Sequence, residues 1–359
     1  MNRVARRERL NAALAELGLA GFVVTKPSNV RYLTGYTGSN GVVCLGTEAR
    51  FLTDFRYATS VVPMEADWRV EIVAQSLLGD VAARISELFG AERIGFEASA
   101  LSYADWRSLG DAARAAGAEL VPCDHLVEDL RAVKDAEEAE LIRRGAQLCD
   151  SIYAWLADEG LAGREEREVA WAIERRAREL GAEGASFPPI VASAANGALP
   201  HAVPGALEIE RSTLVVLDLG TLVDGYCSDC TRTFATGPSD PQMMDVYETV
   251  LAAQEAALAL VRPGQDCREV HETARRVIGE AGYGEYFNHG TGHGVGIEMH
   301  EEPRFRDGFG GELVAGNVVT VEPGVYLPGR FGVRIEDLVL VTDDGCEVLT
   351  QFPKSLLSV

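Results

Sequence analysis

Five residues of this chain, Asp218, Asp229, His293, Glu322 and Glu336, have the types and settings of a two-metal site. Four carboxylates and one imidazole are the hard oxygen and borderline nitrogen donors that suit manganese, cobalt or zinc. Paired divalent ions chiefly activate water and polarise a carbonyl or phosphoryl oxygen, so the set predicts a metal-dependent hydrolase. Charge favours two ions over one: four carboxylates balance two divalent cations, and a bridging hydroxide leaves one negative charge in excess. Without metal, carboxylates brought this close raise one another's pKa values and destabilise the fold.

The local patterns give these residues a geometry. Leu214–Gly220 reads as a strand, Asp224-Gly225 as a hairpin turn and Tyr226–Phe234 as the returning strand. A two-residue turn sets position 220 opposite 229 and 218 opposite 231, making Asp218 and Asp229 diagonal neighbours on one face. A slip of one residue puts them on opposite faces, leaving two unrelated strand carboxylates. Asp is depleted in strands, and two on one buried face repel without a cation, which favours the metal reading. Glu322 closes the apolar strand Val318–Glu322, which Pro323-Gly324 stops. Glu336 lies in the strand Gly332–Val341 with Arg334 on its own face and Asp337 on the other, so a second carboxylate hairpin mirrors the first. A surface pair between Arg334 and Glu336 is the alternative; the β-branched neighbours argue for burial.

The run His289-Gly-Thr-Gly-His293-Gly-Val-Gly296 is the most specific local motif. Alternating glycines exclude a stable helix and let the backbone approach a ligand closely. In extended geometry His289 and His293 share a face. His300-Glu-Glu-Pro303 is not H-E-x-x-H, so a helical zinc-protease reading fails. Four of the six histidines (201, 289, 293 and 300) lie in glycine- or proline-bounded loops. Those outside the ligand set suit an outer ring that orients substrate and moves protons.

The chain's 359 residues, 47% of them hydrophobic, describe a globular protein too long for one small core and predict two domains. A balance of 33 basic against 55 acidic residues, net −22, argues against nucleic acid or an anionic membrane as partner. Seven scattered cysteines suit a reducing cytoplasm. Cys227-Ser-Asp-Cys230 has C-x-x-C spacing, but no second pair accompanies it, and small strand residues flanking Asp229 are the simpler reading. The N-terminal segment reads as an amphipathic helix rather than a signal peptide, because Asn11 and Glu16 interrupt its apolar stretch. No run approaches the ~18 apolar residues of a membrane span.

Residues 1 to about 125 alternate helical and strand patterns, with a helix near 3–18 and strands at Gly21–Val24, Val42–Leu45, Ala49–Thr53 and Val70–Val73. The glycine-rich Thr34–Gly41 reads as a tight β-turn, since G-K-[ST] is absent and no helix opens directly after it. Val121–Asp129 breaks periodicity, and the acidic helix start that follows Lys134 marks a domain boundary near 120–133. Helices at about 135–158 and 164–180 lead through Phe187-Pro-Pro189 and Leu199-Pro-His201 to strands. The order then repeats, with helices at about 240–261 and 266–281 before the Asn288–Gly296 loop. Arg167-Glu-Val169 and Arg268-Glu-Val270 open corresponding helices 101 positions apart, and Gly181 and Gly282 close them. Two related α/β halves are expected, each contributing ligands to a site between them.

With H-G-T-G-H-G-x-G, E-P-G-x-Y (Glu322–Tyr326) and R-I-E-D (Arg334–Asp337), the filled ligand positions resemble the pita-bread metallopeptidases. Within these the chain is similar to the Xaa-Pro peptidases, prolidase and aminopeptidase P. The resemblance covers essentially the whole chain. Residues 1–128 look like a creatinase-type N-terminal α/β domain, through Arg31-Tyr-Leu-Thr-Gly35 and Thr53-Asp-Phe-Arg-Tyr57, and residues 129–359 like the pseudo-symmetric catalytic domain, an α/β (α+β) architecture overall.

It implies two divalent ions per chain, manganese before cobalt or zinc, and a bridging hydroxide attacking the carbonyl before proline, with Glu322 as both ligand and general base. It places His289 and His300 at the tetrahedral intermediate and the proline side, and His201 at the scissile group or leaving imide. Tyr326 and Arg334 would support ligands or bind substrate. The expected partners are proline-containing di- or oligopeptides and further copies of the chain, as a homodimer or higher oligomer, in the cytoplasm. An Xaa-Pro dipeptidase is favoured over an Xaa-Pro aminopeptidase. The rivals are a creatinase-like hydrolase, a methionine aminopeptidase and a non-enzymatic binding protein on the same scaffold. The complete ligand set disfavours the first and last, and the N-terminal domain the second.

Overall fold

The structure is a computed structural model, described over residues 2–308 and 310–359. It divides into two compact units, one ending at Arg131 and the other running from Ala132 to Val359. Among the described residues no helix is long and apolar enough to cross a membrane.

The first unit is built on a six-stranded mixed sheet in the order Arg69–Val73, Ala49–Asp54, Gly41–Leu45, Gly21–Val24, Arg93–Glu97, Glu119–Cys123. Gly21–Val24 pairs antiparallel with Gly41–Leu45 and parallel with Arg93–Glu97. All four of its residues are buried, as expected of a strand covered on both faces. Helices Leu77–Ala83, Ile85–Phe89 and Tyr103–Ala115 pack over Val23, Leu52, Ile94 and Phe96. Two stretches differ from the sequence reading. Thr34–Gly41 is no tight turn but the exit from a helix, Pro27–Thr34, which has proline in its first turn and left-handed Gly35 (φ 76°) at its end. That proline-first, glycine-last pattern was legible. Val121–Asp129, read as irregular, spans the end of strand Glu119–Cys123 and part of helix Leu126–Ala132. The strand is half-exposed at the sheet edge, so it carries no apolar run and tolerates Pro122.

The second unit contains one motif twice. Helices Ala136–Glu159 and Glu166–Glu179 open its first half, and Pro241–Leu258 and Cys267–Glu280 its second. Their starts are written locally: Asp135 and Glu138 form a reciprocal capping box, Asp240 and Asp266 cap the later pair, and Pro241 takes the first helical position. Glu166–Glu179 and Cys267–Glu280 are each 14 residues long, and left-handed glycines follow them, Gly181 (φ 100°) and Gly282 (φ 88°). The correspondence extends to hydrogen bonds. Gly163 N–H donates to Ile209 O at 2.8 Å, as Gly264 N–H does to Leu313 O; Ile209 N–H donates to Arg164 O at 2.9 Å, as Leu313 N–H does to Gln265 O. In the first half Leu214–Leu219 lies between Ile190–Ser193 and Cys230–Ala235. In the second, Val318–Val321 lies between Gly292–Gly294 and Asp337–Val341. Helix residues Val246, Val250, Val270 and Ala274 form one core with Val319, Val321 and Val339.

The first hairpin keeps the register that a two-residue turn requires. Asp224 (φ 51°) and Gly225 (φ 72°) are both left-handed, and Thr231 pairs with Asp218. Its returning strand, expected to be continuous, is instead two pieces, Tyr226–Cys227 and Cys230–Ala235. Ser228 and Asp229 occupy the break. There the Ser228 carbonyl presses on Gly220, where a Cβ would stand 2.0 Å away, and Ser186 Oγ donates to that carbonyl at 3.0 Å. Gly332–Val341, also expected as one strand, is divided into Phe331–Arg334 and Asp337–Val341, with Glu336 in the gap. Its N–H donates to Thr231 O at 3.1 Å. Both hairpins thus leave their ladders where an acidic residue must turn inward.

Candidate metal centre

Asp218, Asp229 and Glu336 each offer a carboxylate oxygen within 4.8 Å of the others. Asp229 and Glu336 are buried and Asp218 nearly so. His293 continues the set, its Nε2 lying 3.7 Å from Asp229 Oδ2 and 3.2 Å from Glu322 Oε1. Its Nδ1 is 3.0 Å from Gly294 O, and because a carbonyl only accepts, Nδ1 carries the proton and Nε2 presents its lone pair. Thr320 joins two members: its Oγ1 accepts from His293 N–H and donates to Glu322 Oε1, both at 3.1 Å.

One cavity of about 310 Å³ is lined by these five residues together with His201, His289, His300 and Arg334. The rings of His293 and His300 meet edge to face at 4.2 Å. Tyr326 is not in that wall. Its hydroxyl accepts from Arg334 Nη1 at 2.8 Å and faces His289 Nε2 at 3.1 Å. His289 Nδ1 is bound to Gly290 O at 2.7 Å, so Nε2 is the acceptor for the tyrosine. Arg334, buried, also donates from Nη2 to Asp218 Oδ2 at 2.6 Å, from Nε to Thr231 Oγ1 at 3.0 Å and from Nη1 to Pro200 O at 3.1 Å. Thr231 Oγ1 donates in turn to Glu336 Oε2 at 2.7 Å. Asp337 points away, towards Arg232, Gln254, Thr350 and Lys354.

Asp218 Oδ1, Asp229 Oδ1 and Glu336 Oε1 are buried without a hydrogen-bond partner among the described residues. Each such oxygen costs on the order of 1–3 kcal/mol, more when charged. Divalent cations among the three would satisfy them all, so the residues present fit a metal centre. The electrostatics agree. Burial, then the charges of Glu336, Asp218 and Glu322, pushes Asp229 well above the ordinary carboxylate range. Burial, then Glu322 and Asp218, does the same to Glu336, and burial raises Asp218 against the pull of Arg334. Burial also works on Glu322, but the neighbouring His293, His289 and Arg334 outweigh it and bring that carboxyl to about 2. Burial lowers His289, and burial with the charge of His293 lowers His300 to about 4. Both stay neutral near pH 7.

Several participants escaped the sequence reading. Thr231 was placed opposite Asp218, but its hydroxyl was given no task. Arg304 and Arg306 also line the cavity, and their alternate spacing was the available signal. His271, buried on Cys267–Glu280, has Nδ1 2.8 Å from Thr291 Oγ1 inside the His289–His293 segment. Nothing in its surroundings separates it from other residues of an amphipathic helix. Cys227 and Cys230 are buried, and Cys230 Sγ lies 3.8 Å from Glu336 O.

Residues 140–343 match metallopeptidase family M24, and residues 6–133 match the creatinase/prolidase N-terminal domain. The chain is 35% identical over 356 residues to an Xaa-Pro dipeptidase of Pyrococcus furiosus, covering 98% of this chain and 99% of that one. An Xaa-Pro dipeptidase from Bacillus anthracis has a TM-score of 0.95 to this structure at 38% identity, covering 100% of both chains. An X-Pro aminopeptidase from Thermotoga maritima has a TM-score of 0.86 at 31% identity, covering 97% and 100%. Carboxylates that call for cations, a histidine with its lone pair turned towards them and a match across the duplicated unit agree, and the chain belongs to metallopeptidase family M24.

Proposed function

We propose that the protein is a two-metal exopeptidase that hydrolyses the bond between an N-terminal residue and proline, with Xaa-Pro dipeptides as preferred substrates. The observation that carries the reading is the convergence, beside His293 and Glu322 in one cavity, of oxygens from Asp218, Asp229 and Glu336 that have no hydrogen-bond partner among the described residues. The similar Xaa-Pro dipeptidases support the substrate class.

Asp218, Asp229, His293, Glu322 and Glu336 would hold two divalent ions, which when bound polarise a carbonyl and acidify water. Glu322, held below the ordinary carboxylate range, is ionised and accepts the proton of the attacking water. His300, neutral at working pH, donates to the oxygen that gains charge at the scissile carbonyl, and His201 steadies the scissile group or leaving imide. His289, its nitrogens engaged by Gly290 and Tyr326, presents its ring to the proline side. Arg304 and Arg306 give the wall two guanidinium groups suited to the free carboxylate of a short peptide, which favours dipeptides over longer chains. Manganese is the first expected metal, with cobalt or zinc as alternatives. The reading includes a catalytic domain over 129–359, a homodimer and a cytoplasmic setting, the last supported by seven scattered cysteines.

The test uses metal-stripped protein reloaded with manganese, cobalt or zinc and supplied with Gly-Pro and with Gly-Pro-Ala. Metal-dependent release of the N-terminal glycine is expected, faster from the dipeptide. No release from either peptide overturns the function, and faster cleavage of the tripeptide overturns the length preference.

A further inference from the structure

Glu166 stands at the first position of helix Glu166–Glu179 with 0% of its surface exposed. Its carboxylate accepts four hydrogen bonds, all from one stretch of chain. Oε1 accepts from Ser193 N–H at 2.7 Å and Ser193 Oγ at 2.9 Å; Oε2 accepts from Asn196 Nδ2 at 2.7 Å and Gly205 N–H at 3.3 Å. Ser193 and Gly205 are the ends of the segment that brings Pro200 and His201 to the cavity wall. Exposed and buried residues alternate along its middle, where Leu199 is 56% and Val203 81% exposed while Ala198 and Ala202 are buried. The segment meets the site through Pro200 O, which accepts from Arg334 Nη1.

The duplicated half shows what the fold itself requires at this place. The residue 101 positions on is Cys267, also buried. Its N–H donates to Gly311 O at 3.0 Å, as Glu166 N–H donates to Leu207 O at 3.0 Å. The backbone task is the same in both halves, yet one uses a thiol and the other a carboxylate. A buried carboxylate is costly unless well bonded, so its retention calls for a task the second half lacks. The four donors identify that task as holding the His201 segment.

We propose that Glu166 is a positioning residue: it fixes both ends of Ser193–Gly205 so that His201 remains against the bound peptide. It acts through His201 and touches no substrate. This rests on the Xaa-Pro peptidase reading only for the reaction whose rate reports it.

The test is a double-mutant cycle on the manganese-loaded protein with Gly-Pro, combining Glu166→Gln, His201→Ala and both. Bound-metal content and hydrogen exchange of residues 194–205 in metal-free protein are measured alongside. Glu166→Gln should keep two ions, speed exchange across the segment and lower kcat/KM roughly 10–100-fold, the usual range for a residue that orients a functional group. In the His201→Ala background the same change should cost no more than about twofold, because its effect runs through that ring. Asn196→Ala, which removes one donor and leaves Glu166 in place, should give a smaller version of both effects and serves if Glu166→Gln fails to fold. Full multiplication of the two losses, or unchanged exchange in the segment, overturns the proposal. If the unaltered protein cleaves no Xaa-Pro peptide, the peptidase reading falls, and the exchange measurement still decides whether Glu166 holds the segment.

Discussion

Arg334 and Asp218 form an ion pair through one carboxylate oxygen: Nη2 reaches Oδ2 at 2.6 Å, while Oδ1 stays buried with no hydrogen-bond partner among the described residues. The guanidinium thus aims Asp218 while leaving it a donor. It does so from a fork that also holds Thr231, Tyr326 and Pro200 O. Lysine keeps the charge but loses the planar fork. Arg334→Lys is expected to weaken metal binding and Gly-Pro turnover by roughly 10–100-fold, as read by calorimetric manganese titration and an initial-rate assay. Affinity and rate equal to the parent's would remove Arg334 from this role.

Glu322 is poised differently from the other carboxylates, because Thr320 Oγ1 donates to its Oε1 and His293 Nε2 lies 3.2 Å from the same oxygen. Glu322→Gln preserves shape and a hydrogen-bonding oxygen but cannot take a proton. Turnover should vanish while the circular dichroism spectrum and melting temperature stay close to the parent's. Retained turnover would refute the general-base role.

Metal binding should release protons at a pH above the ordinary carboxylate range. The raised carboxyls of Asp218, Asp229 and Glu336 keep protons in the folded, metal-free protein that the unfolded chain, with ordinary values near 4, has already lost. The folded form therefore binds more protons, and the stability these groups contribute falls as pH rises through their raised values. The lowered His289 and His300 act in the opposite sense, but only below their ordinary value of about 6.5. The gap in melting temperature between manganese-loaded and chelated protein should widen as pH rises through the raised values of these carboxyls. Calorimetry in buffers of different ionisation heat should register the released protons; a constant gap with no proton release counts against the cluster.

Gly220 tests the break in the first hairpin. A methyl there meets the Ser228 carbonyl at 2.0 Å, and that atom is backbone and cannot swing aside. Gly220→Ala should destabilise the protein by about 1–3 kcal/mol in urea unfolding. Because Ser228 precedes Asp229, manganese affinity should fall with it. A loss of stability with unchanged affinity would separate the break from the ligand.

The paired helices, the Asp224-Gly225 turn and the opposition of 218 and 231 were all legible, because capping residues and a two-residue turn are local codes. Helix Pro27–Thr34 was missed although its proline and Gly35 were in view, since an eight-residue helix gives too little periodicity. The breaks at Ser228–Asp229 and before Asp337 were not legible. The second follows from a contact across the fold, between Thr231 and Glu336, which no short window contains. The first follows from the close backbone approach of Ser228 to Gly220 inside the hairpin, which residue patterning does not report. The same holds within the site. Residue types pointed to the donors, whereas the tasks of Thr231, Thr320 and His271 depend on which backbone passes behind them.

The two halves of the second unit have drifted in spacing. Helices Glu166–Glu179 and Cys267–Glu280 start 101 positions apart, Asp218 and Glu322 lie 104 apart (322 − 218), and Asp229 and Glu336 lie 107 apart (336 − 229). The surplus residues have been absorbed by connecting chain, while each pair of acidic side chains still arrives in the same cavity. Loop length and hydrolytic machinery can therefore vary independently. Chain length between the elements is thus free to change while the acidic side chains keep their places around one cavity.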